Sequence, residues 1–164
     1  MRTVKKRSQK QEDSVAKTFG GRVTAASGAL WGMKGDVRND KFLIECKTTE
    51  KDYYTLTAKV WEKIQEEAIK DHMRTPLMII DLKDKDRYVV FRPKDFVTQI
   101  VTPILPSGIL KEKAFKITKK LLGYNEFNDY VSAYHFILGG RQNNVLCVML
   151  YKDFENIYKE ELKC

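Results

Sequence analysis

Helical and strand-like hydrophobic periods alternate over the first hundred residues, and their order limits the folds open to the chain. Val15, Ala16 and Phe19 recur at helical spacing, which predicts a helix. Gly20–Gly21 then marks its C-terminal end. A second helical stripe runs over residues 57–72. Strand-like segments are predicted over residues 22–26, 35–38, 41–49, 77–82 and 88–92. The order of helix, three strands, helix and two strands predicts an α/β or α+β fold.

Other segments have weaker periods. Ser8–Gln11 is typical of a capping box, which places the start of the first helix at Ser8. The segment Lys111–Leu122 predicts a basic helix that contacts DNA or serves assembly. Two strands over 134–138 and 144–151 and a helix over 152–162 are predicted after it. We therefore expect a core of residues 1–100 and an extension of residues 101–164 that packs on it, for substrate or dimer contacts.

The charge of the chain favours an anionic partner. Thirty Lys and Arg face 22 Asp and Glu, which gives a net charge of +8. Residues 1–60 hold 13 basic and 7 acidic side chains, so most of the surplus lies in the first third. Basic surfaces bind nucleic acid because neutralised phosphates release their counterions. The alternative is a basic protein whose charge serves only solubility.

The composition of the chain excludes several classes of protein. The hydrophobic content of 43% excludes a disordered tail. The longest apolar run, Val145–Tyr151, is too short for a membrane span of about 20 residues. No apolar run follows the basic segment Met1–Arg7, so we expect no secretory signal. We expect a soluble intracellular protein without a membrane partner.

Cysteine and histidine do not suggest a metal site. Cys46, Cys147 and Cys164 are widely spaced and form no Cys-x-x-Cys pair. His72 and His135 stand apart from them and from each other. A metal site must therefore be built from carboxylates, which select hard cations such as magnesium or manganese.

A short segment after Asn39–Asp40 alternates between apolar and charged side chains, as the second strand of a tightly turned hairpin. One face of this strand holds Phe42, Ile44 and Cys46 and is directed to a core. The other face holds Glu45 and Lys47. With Asp36 opposite Leu43, Asp36 is a diagonal neighbour of Glu45, roughly 7–8 Å away at the backbone. Two such carboxylates can bind one divalent cation; the alternative is a solvated strand face.

Five features, in this order, resemble the PD-(D/E)xK nuclease superfamily: Glu12 in a first helix, Gly20–Gly21, Ser27–Gly28, Gly35–Asp36–Val37 and Ile44–Glu45–Cys46–Lys47. The spacing is most similar to that of archaeal-type and phage-type Holliday junction resolvases and covers residues 8–97. In this chain Gly35, rather than Pro, precedes Asp36. The resemblance implies a restriction-endonuclease-like α/β core, with a central mixed sheet flanked by helices, and leaves the C-terminal α+β extension unmatched.

The resemblance also implies roles for the site residues. Asp36, Glu45 and the backbone carbonyl of Cys46 would bind Mg²⁺, for which Mn²⁺ would substitute. Lys47 would position or deprotonate the attacking water. Glu12 would complete the site as a further ligand; its alternative role is to stabilise the N-terminus of its helix by charge.

Substrate contacts are expected from residues near this site. Ser27 resembles the loop serine that contacts the cleaved strand. Arg22, Lys34 and Arg38 are candidates for phosphate contacts, and Trp31 for base stacking or a junction wedge. A junction has near two-fold symmetry, so a homodimer is expected. Alternatives are a restriction-type or repair-type nuclease acting on duplex or single-stranded DNA, and a non-catalytic DNA-binding module.

Overall fold

The structure of the protein is a computed structural model, and it describes residues 2–24, 35–83, 86–96, 111–118, 133–140 and 144–161. Its helices are α1 Arg2–Thr18, α2 Ala58–Lys70 and α3 Tyr151–Glu161. Its strands are β1 Arg22–Val23, β2 Val37–Arg38, β3 Phe42–Thr48, β4 Tyr53–Thr57, β5 Thr75–Asp81, β6 Arg87–Phe91, β7 Lys111–Glu112, β8 Ala114–Thr118, β9 Ala133–Leu138 and β10 Asn144–Leu150. None of the helices in these ranges has the length and apolar character needed to cross a membrane.

Eight strands form one mixed sheet in the order β1-β2-β3-β5-β6-β10-β9-β7. The pairs β3–β5 and β7–β9 are parallel, and the others are antiparallel. This central mixed sheet with flanking helices confirms the predicted α/β class. The boundary predicted at residue 100 lies outside the described residues. Beyond it, β10 pairs directly with β6 and continues the same sheet.

The sheet separates two apolar clusters, because alternate residues of a strand face opposite sides. One cluster joins α1 and α3 to side chains such as Ile44 and Ile79. The other joins α2 and the β4–β8 ribbon to side chains such as Met78 and Ile80. The predicted apolar face of β3 is confirmed, since Phe42, Ile44 and Cys46 all lie in the first cluster.

The first helix begins earlier than the predicted capping box. Helix α1 starts at Arg2, so Ser8 lies inside it and caps nothing. The Ser8 hydroxyl instead donates to Oε1 of Glu12, one turn on, at 3.2 Å. Lys, Arg and Gln are good helix formers, which extends the helix through the charged N-terminal segment.

The second helix agrees closely with its predicted range. Thr57 caps it, and its hydroxyl accepts a hydrogen bond from the amide of Val60 at 3.4 Å. Trp61 lies on the apolar stripe and is 0% exposed, as expected for a core residue. The helix therefore anchors one face of the sheet beside β3 and β5.

The basic helix predicted from Lys111 onwards is wrong over the residues described. Residues 111–112 and 114–118 form β7 and β8, and β8 pairs with β4. Phe115 and Ile117 are buried, whereas Lys116 is exposed, which is the period of two that a strand requires. The ribbon covers α2 and extends the cluster on the face that carries Glu45 and Lys47.

Candidate active site

The hairpin of β2 and β3 has a wider turn than the predicted two-residue loop. Arg38 pairs with Leu43 and Val37 pairs with Ile44. The predicted pairing of Asp36 with Leu43 is therefore wrong by two residues, and the amide of Asp36 donates to the carbonyl of Ile44 at 3.0 Å. A shift of two residues keeps every side chain on its predicted face, because the period of a strand is two.

Asn39 explains the wider turn. Its side-chain oxygen accepts hydrogen bonds from the amides of Lys41, at 2.9 Å, and Phe42, at 2.6 Å. This arrangement replaces the backbone pairing that a tight turn would use. The side-chain amide of Asn39 also donates to the carbonyl of Phe19 at 2.8 Å, which ties the turn to the end of α1.

Gly35 sets the direction in which Asp36 enters the site. Its φ is +70°, a conformation that favours glycine and that proline cannot adopt. A Cβ at this position would lie 2.7 Å from Cδ1 of the buried Leu43. The departure from a Pro–Asp motif is thus required by the local backbone.

Asp36, Glu45 and Lys47 meet at the middle of β3. Oδ2 of Asp36 accepts a hydrogen bond from the amide of Cys46 at 2.8 Å. Oε1 of Glu45 lies 2.5 Å from Nζ of Lys47. The side chain of Glu45 is only 18% exposed, so this ion pair lies in a partly desolvated position. The structure therefore brings together the three residues that the sequence predicts.

Burial and neighbouring carboxylates raise the pKa of Glu12 and Glu45. Burial, followed by the charge of Asp36, raises the pKa of Glu45. Burial and the charge of Asp36 likewise raise the pKa of Glu12. Burial would lower the pKa of Lys47, but the carboxylate of Glu45 raises it above its ordinary value. Lys47 is therefore an ammonium ion at neutral pH.

Glu12 lies in the middle of α1, so the alternative role of stabilising a helix N-terminus does not apply. Burial raises the pKa of the Cys46 thiol well above its ordinary value. The charges of Asp36, Glu12 and Glu45 add to this rise. Three carboxylates from α1, the start of β2 and β3 are thus close enough to interact. The Cys46 side chain itself is neutral and belongs to the core.

Gln11 fixes the position of α1 against the site strand, a role that the sequence analysis missed. Its side-chain nitrogen lies 3.3 Å from the carbonyl of Lys47, 3.1 Å from that of Ile79 and 3.0 Å from Oδ1 of Asp81. Its oxygen accepts a hydrogen bond from the hydroxyl of Thr48 at 2.8 Å. Gln11 is 1% exposed, and its spacing from Val15 and Phe19 could have placed it on the buried stripe.

The side chains fit a hard divalent cation in their chemistry. Glu12, Asp36 and Glu45 supply oxygen donors, the ligands that Mg²⁺ prefers. Burial, and then the charge of Asp36, raise the pKa of Glu12 and Glu45, and a cation among the three carboxylates would offset their repulsion. Within the described ranges no three acidic, His or Cys side chains are already arranged as a metal site. Binding therefore requires side-chain rotation, including release of Glu45 from Lys47.

Two of the five predicted DNA contacts lie on described residues. Arg22 and Arg38 face each other across the β1–β2 pair. Ser27, Trp31 and Lys34 lie outside the described residues. Arg38 is two residues from Asp36 on the same strand face, so one side of the hairpin holds both the carboxylates and the arginines.

We expect Glu45→Gln to stabilise the protein at neutral pH. The native pKa of Glu45 exceeds its ordinary value of 4.5, so the native state binds more protons than the unfolded state between the two values. The contribution of Glu45 to the free energy of unfolding should therefore rise as the pH falls through that window, and Gln removes this contribution. Thermal unfolding at pH 4 and pH 8 would measure the difference.

The control for this prediction is Glu66→Gln, because Glu66 is exposed on α2. Glu45→Gln should raise the melting temperature at pH 8 more than at pH 4, whereas the control should change neither value. A variant that is less stable than the wild type at pH 8 would contradict the electrostatic interpretation of the site.

Comparisons with family models and with curated proteins find no match. Among solved structures, the chain is similar to Hjc of Archaeoglobus fulgidus, a Holliday junction resolvase from an archaeal hyperthermophile. The sequence identity is 16% and the TM-score is 0.42, over 68% of this chain and 88% of that chain. A likeness at this level carries no statement about activity.

Proposed function

We propose that the chain is a magnesium-dependent DNA endonuclease that hydrolyses phosphodiester bonds, with four-way or other branched DNA as its substrate. One observation carries the proposal: two carboxylates, Asp36 and Glu45, adjoin an ion-paired Lys47 at the middle of a strand that is otherwise buried. Glu12 approaches them from α1. The preference for branched DNA rests on the resemblance of the sequence motifs to resolvases.

In this proposal Asp36, Glu45 and the backbone carbonyl of Cys46 hold Mg²⁺ or Mn²⁺, and Glu12 completes the set. A divalent cation held there would lower the pKa of a water molecule and neutralise charge on the phosphate. The protein itself contributes by holding the carboxylates in position. Asp36 is held by the Cys46 amide, and Gln11 fixes α1 and hence Glu12 against β3.

Lys47 has a narrower role than the sequence alone suggests. Its pKa is raised while it is paired with Glu45, so in this geometry it is a charged hydrogen-bond donor and not a base. An ammonium group beside the carboxylates can orient the attacking water and stabilise the charge that develops on the phosphate. We therefore assign Lys47 to positioning and charge stabilisation.

The net charge supports a DNA substrate. A cluster of carboxylates repels phosphate, and the positive surplus of residues 1–60 opposes this repulsion. Two incisions on opposite strands of a near-symmetric junction require two sites, so the proposed active form is a homodimer. Intracellular DNA would be its substrate.

The proposal is tested by a cleavage assay with Mg²⁺ on four DNA forms of matched sequence: a mobile junction, an immobile junction, a linear duplex and a single strand. We expect cleavage that requires Mg²⁺, persists in Mn²⁺ and stops on chelation, with the junctions cut in excess of linear competitor. If only the duplex or only the single strand is cut, the protein is a nuclease for that form of DNA, and the assignment of branched DNA as its substrate is wrong. Absence of metal-dependent cleavage on all four would overturn the enzymatic function.

A further inference from the structure

A polar cavity of about 260 Å³ opens at the turn end of the β2–β3 hairpin, beyond the carboxylates. Its lining residues come from the α1–β1 turn, the hairpin and the segment after α2: Gly20, Gly21, Arg22, Arg38, Asn39, Asp40 and Arg74. Three of these are arginines and one is an acid. The charge of the lining therefore favours an anion.

Arg22 and Arg38 are directly opposite each other in the β1–β2 register. Like charges at such positions destabilise a strand pair unless something compensates them. Arg38 forms a long ion pair with Asp71, with an N–O distance of 3.9 Å, which is too long for a hydrogen bond. Nε of Arg38 is buried and has no hydrogen-bond partner. This nitrogen is a buried donor without an acceptor, so the guanidinium of Arg38 can turn towards an anion in the cavity without giving up a hydrogen bond made by Nε.

Arg74 is already held in place by the protein. Its guanidinium lies 2.6 Å from Oδ2 of Asp71 and also donates to the carbonyls of Asn39 and Asp71, at 2.5 and 2.8 Å. Asp71 therefore pairs closely with Arg74 and only loosely with Arg38. The cavity has one arginine fixed by a short ion pair, one with an acid only at 3.9 Å, and Arg22, which forms no ion pair among the described residues.

Gly21 allows this arrangement of strands. A Cβ on Gly21 would lie 2.7 Å from the carbonyl oxygen of Arg38, so a larger residue would push β1 away from β2. The close approach is what brings Arg22 next to Arg38. The backbone thus forms the cavity as much as the arginines do.

We propose that this cavity binds one phosphate of the DNA strand that the candidate site cuts. The proposal rests on the nuclease function proposed above. Asp36 and Arg38 are two residues apart on one strand face, roughly 7 Å at the usual rise of a strand. This is about two nucleotides at about 3.4 Å of rise per nucleotide. The phosphate in the cavity is therefore a near neighbour of the cleaved one, and it sets the register of the strand.

The test measures DNA binding without divalent cations, by fluorescence anisotropy over a range of salt concentrations. Arg22→Gln and Arg38→Gln should each weaken binding about tenfold, because each removes charged hydrogen bonds to the same phosphate. Each should also lower the slope of log affinity against log salt by at most about 0.9, the value for one phosphate, because the other arginine still faces that phosphate. The double variant should lose about 0.9 in total. A loss of about 1.8 would mean two separate phosphates and would overturn the shared cavity.

Controls separate folding and general charge from the site. Lys152→Gln removes an exposed cation on α3, which packs on the other face of the sheet, and should change the slope by less than either arginine variant. Arg38→Lys keeps the charge and should restore the slope but not the full affinity. Arginine variants that fold and bind like Lys152→Gln would overturn the proposal.

A neutral methylphosphonate placed at successive positions of the DNA locates the phosphate. One position, about two nucleotides from the cut, should weaken binding of the wild type and leave the Arg22→Gln/Arg38→Gln double variant unaffected. A protein that binds through these arginines but never cleaves contradicts the nuclease function while keeping the phosphate site. A protein that cleaves with no such position keeps the nuclease function and overturns the cavity.

Discussion

Lys47→Ala is expected to reduce the rate of DNA cleavage by about 10²–10⁴-fold and to leave DNA affinity largely unchanged. Nζ of Lys47 lies 2.5 Å from Glu45 and carries a positive charge that no other cation supplies at the middle of β3 among the described residues. Its loss removes stabilisation of the developing phosphate charge but only one of many attractive charges. Single-turnover cleavage at saturating protein measures the rate, and anisotropy measures the affinity.

The matched control is Lys152→Ala, which removes the same charge from α3. Glu45→Gln should give a loss of activity similar to that of Lys47→Ala, since it removes a carboxylate from the proposed metal site while keeping the size of the side chain. If Lys47→Ala cleaves at the wild-type rate, or if the two lysine variants lose equal activity, the role assigned to Lys47 is wrong.

Gln11→Leu is expected to lower the free energy of unfolding by about 2–4 kcal/mol, because it leaves buried groups without hydrogen-bond partners. The carbonyls of Lys47 and Ile79 and the hydroxyl of Thr48 all lose a contact. Cleavage should fall as well under conditions where the variant is fully folded, since Glu12 follows Gln11 on α1. Urea unfolding measures the stability, and cleavage at low temperature measures the activity.

Gln9→Leu is the control, because Gln9 lies on the exposed side of the same helix and contacts only Asp13 among the described residues. It should leave both stability and activity close to the wild type. A Gln11→Leu variant that is as stable as Gln9→Leu would show that the network does not fix α1. A destabilised variant with full activity when folded would separate Gln11 from the site.

Clear hydrophobic periodicity predicted the strand that holds the site and the helix beside it. The alternation of Phe42, Ile44 and Cys46 with Glu45 and Lys47 determines which side chains enter the core. A shift of the strand register by two residues leaves each side chain on the same face of the sheet. Helix α2 was predicted for the same reason, since its apolar stripe must be buried. These inferences depend only on neighbours within one segment.

Weaker signals failed where distant segments decide the outcome. Residues 111–118 have several basic side chains compatible with a helix, but pairing with β4 makes part of this segment a strand. Ser8–Gln11 matches a capping box, yet Gln11 is used in tertiary hydrogen bonds and the helix continues towards Arg2. Local pattern cannot show which of two permitted structures the rest of the chain stabilises.

The amino-acid order was therefore sufficient to predict the faces of β3, the pairing of carboxylates with a lysine and the class of sheet. Only the folded chain shows that Asp36 accepts from the Cys46 amide, that Gln11 joins α1 to β3 and β5, and that Arg22, Arg38 and Arg74 line one cavity. The physical reason is the separation along the chain of the residues that each feature requires. Side-chain alternation is a property of a single strand, whereas register, buried hydrogen bonds and shared cavities depend on contacts between segments far apart in the chain.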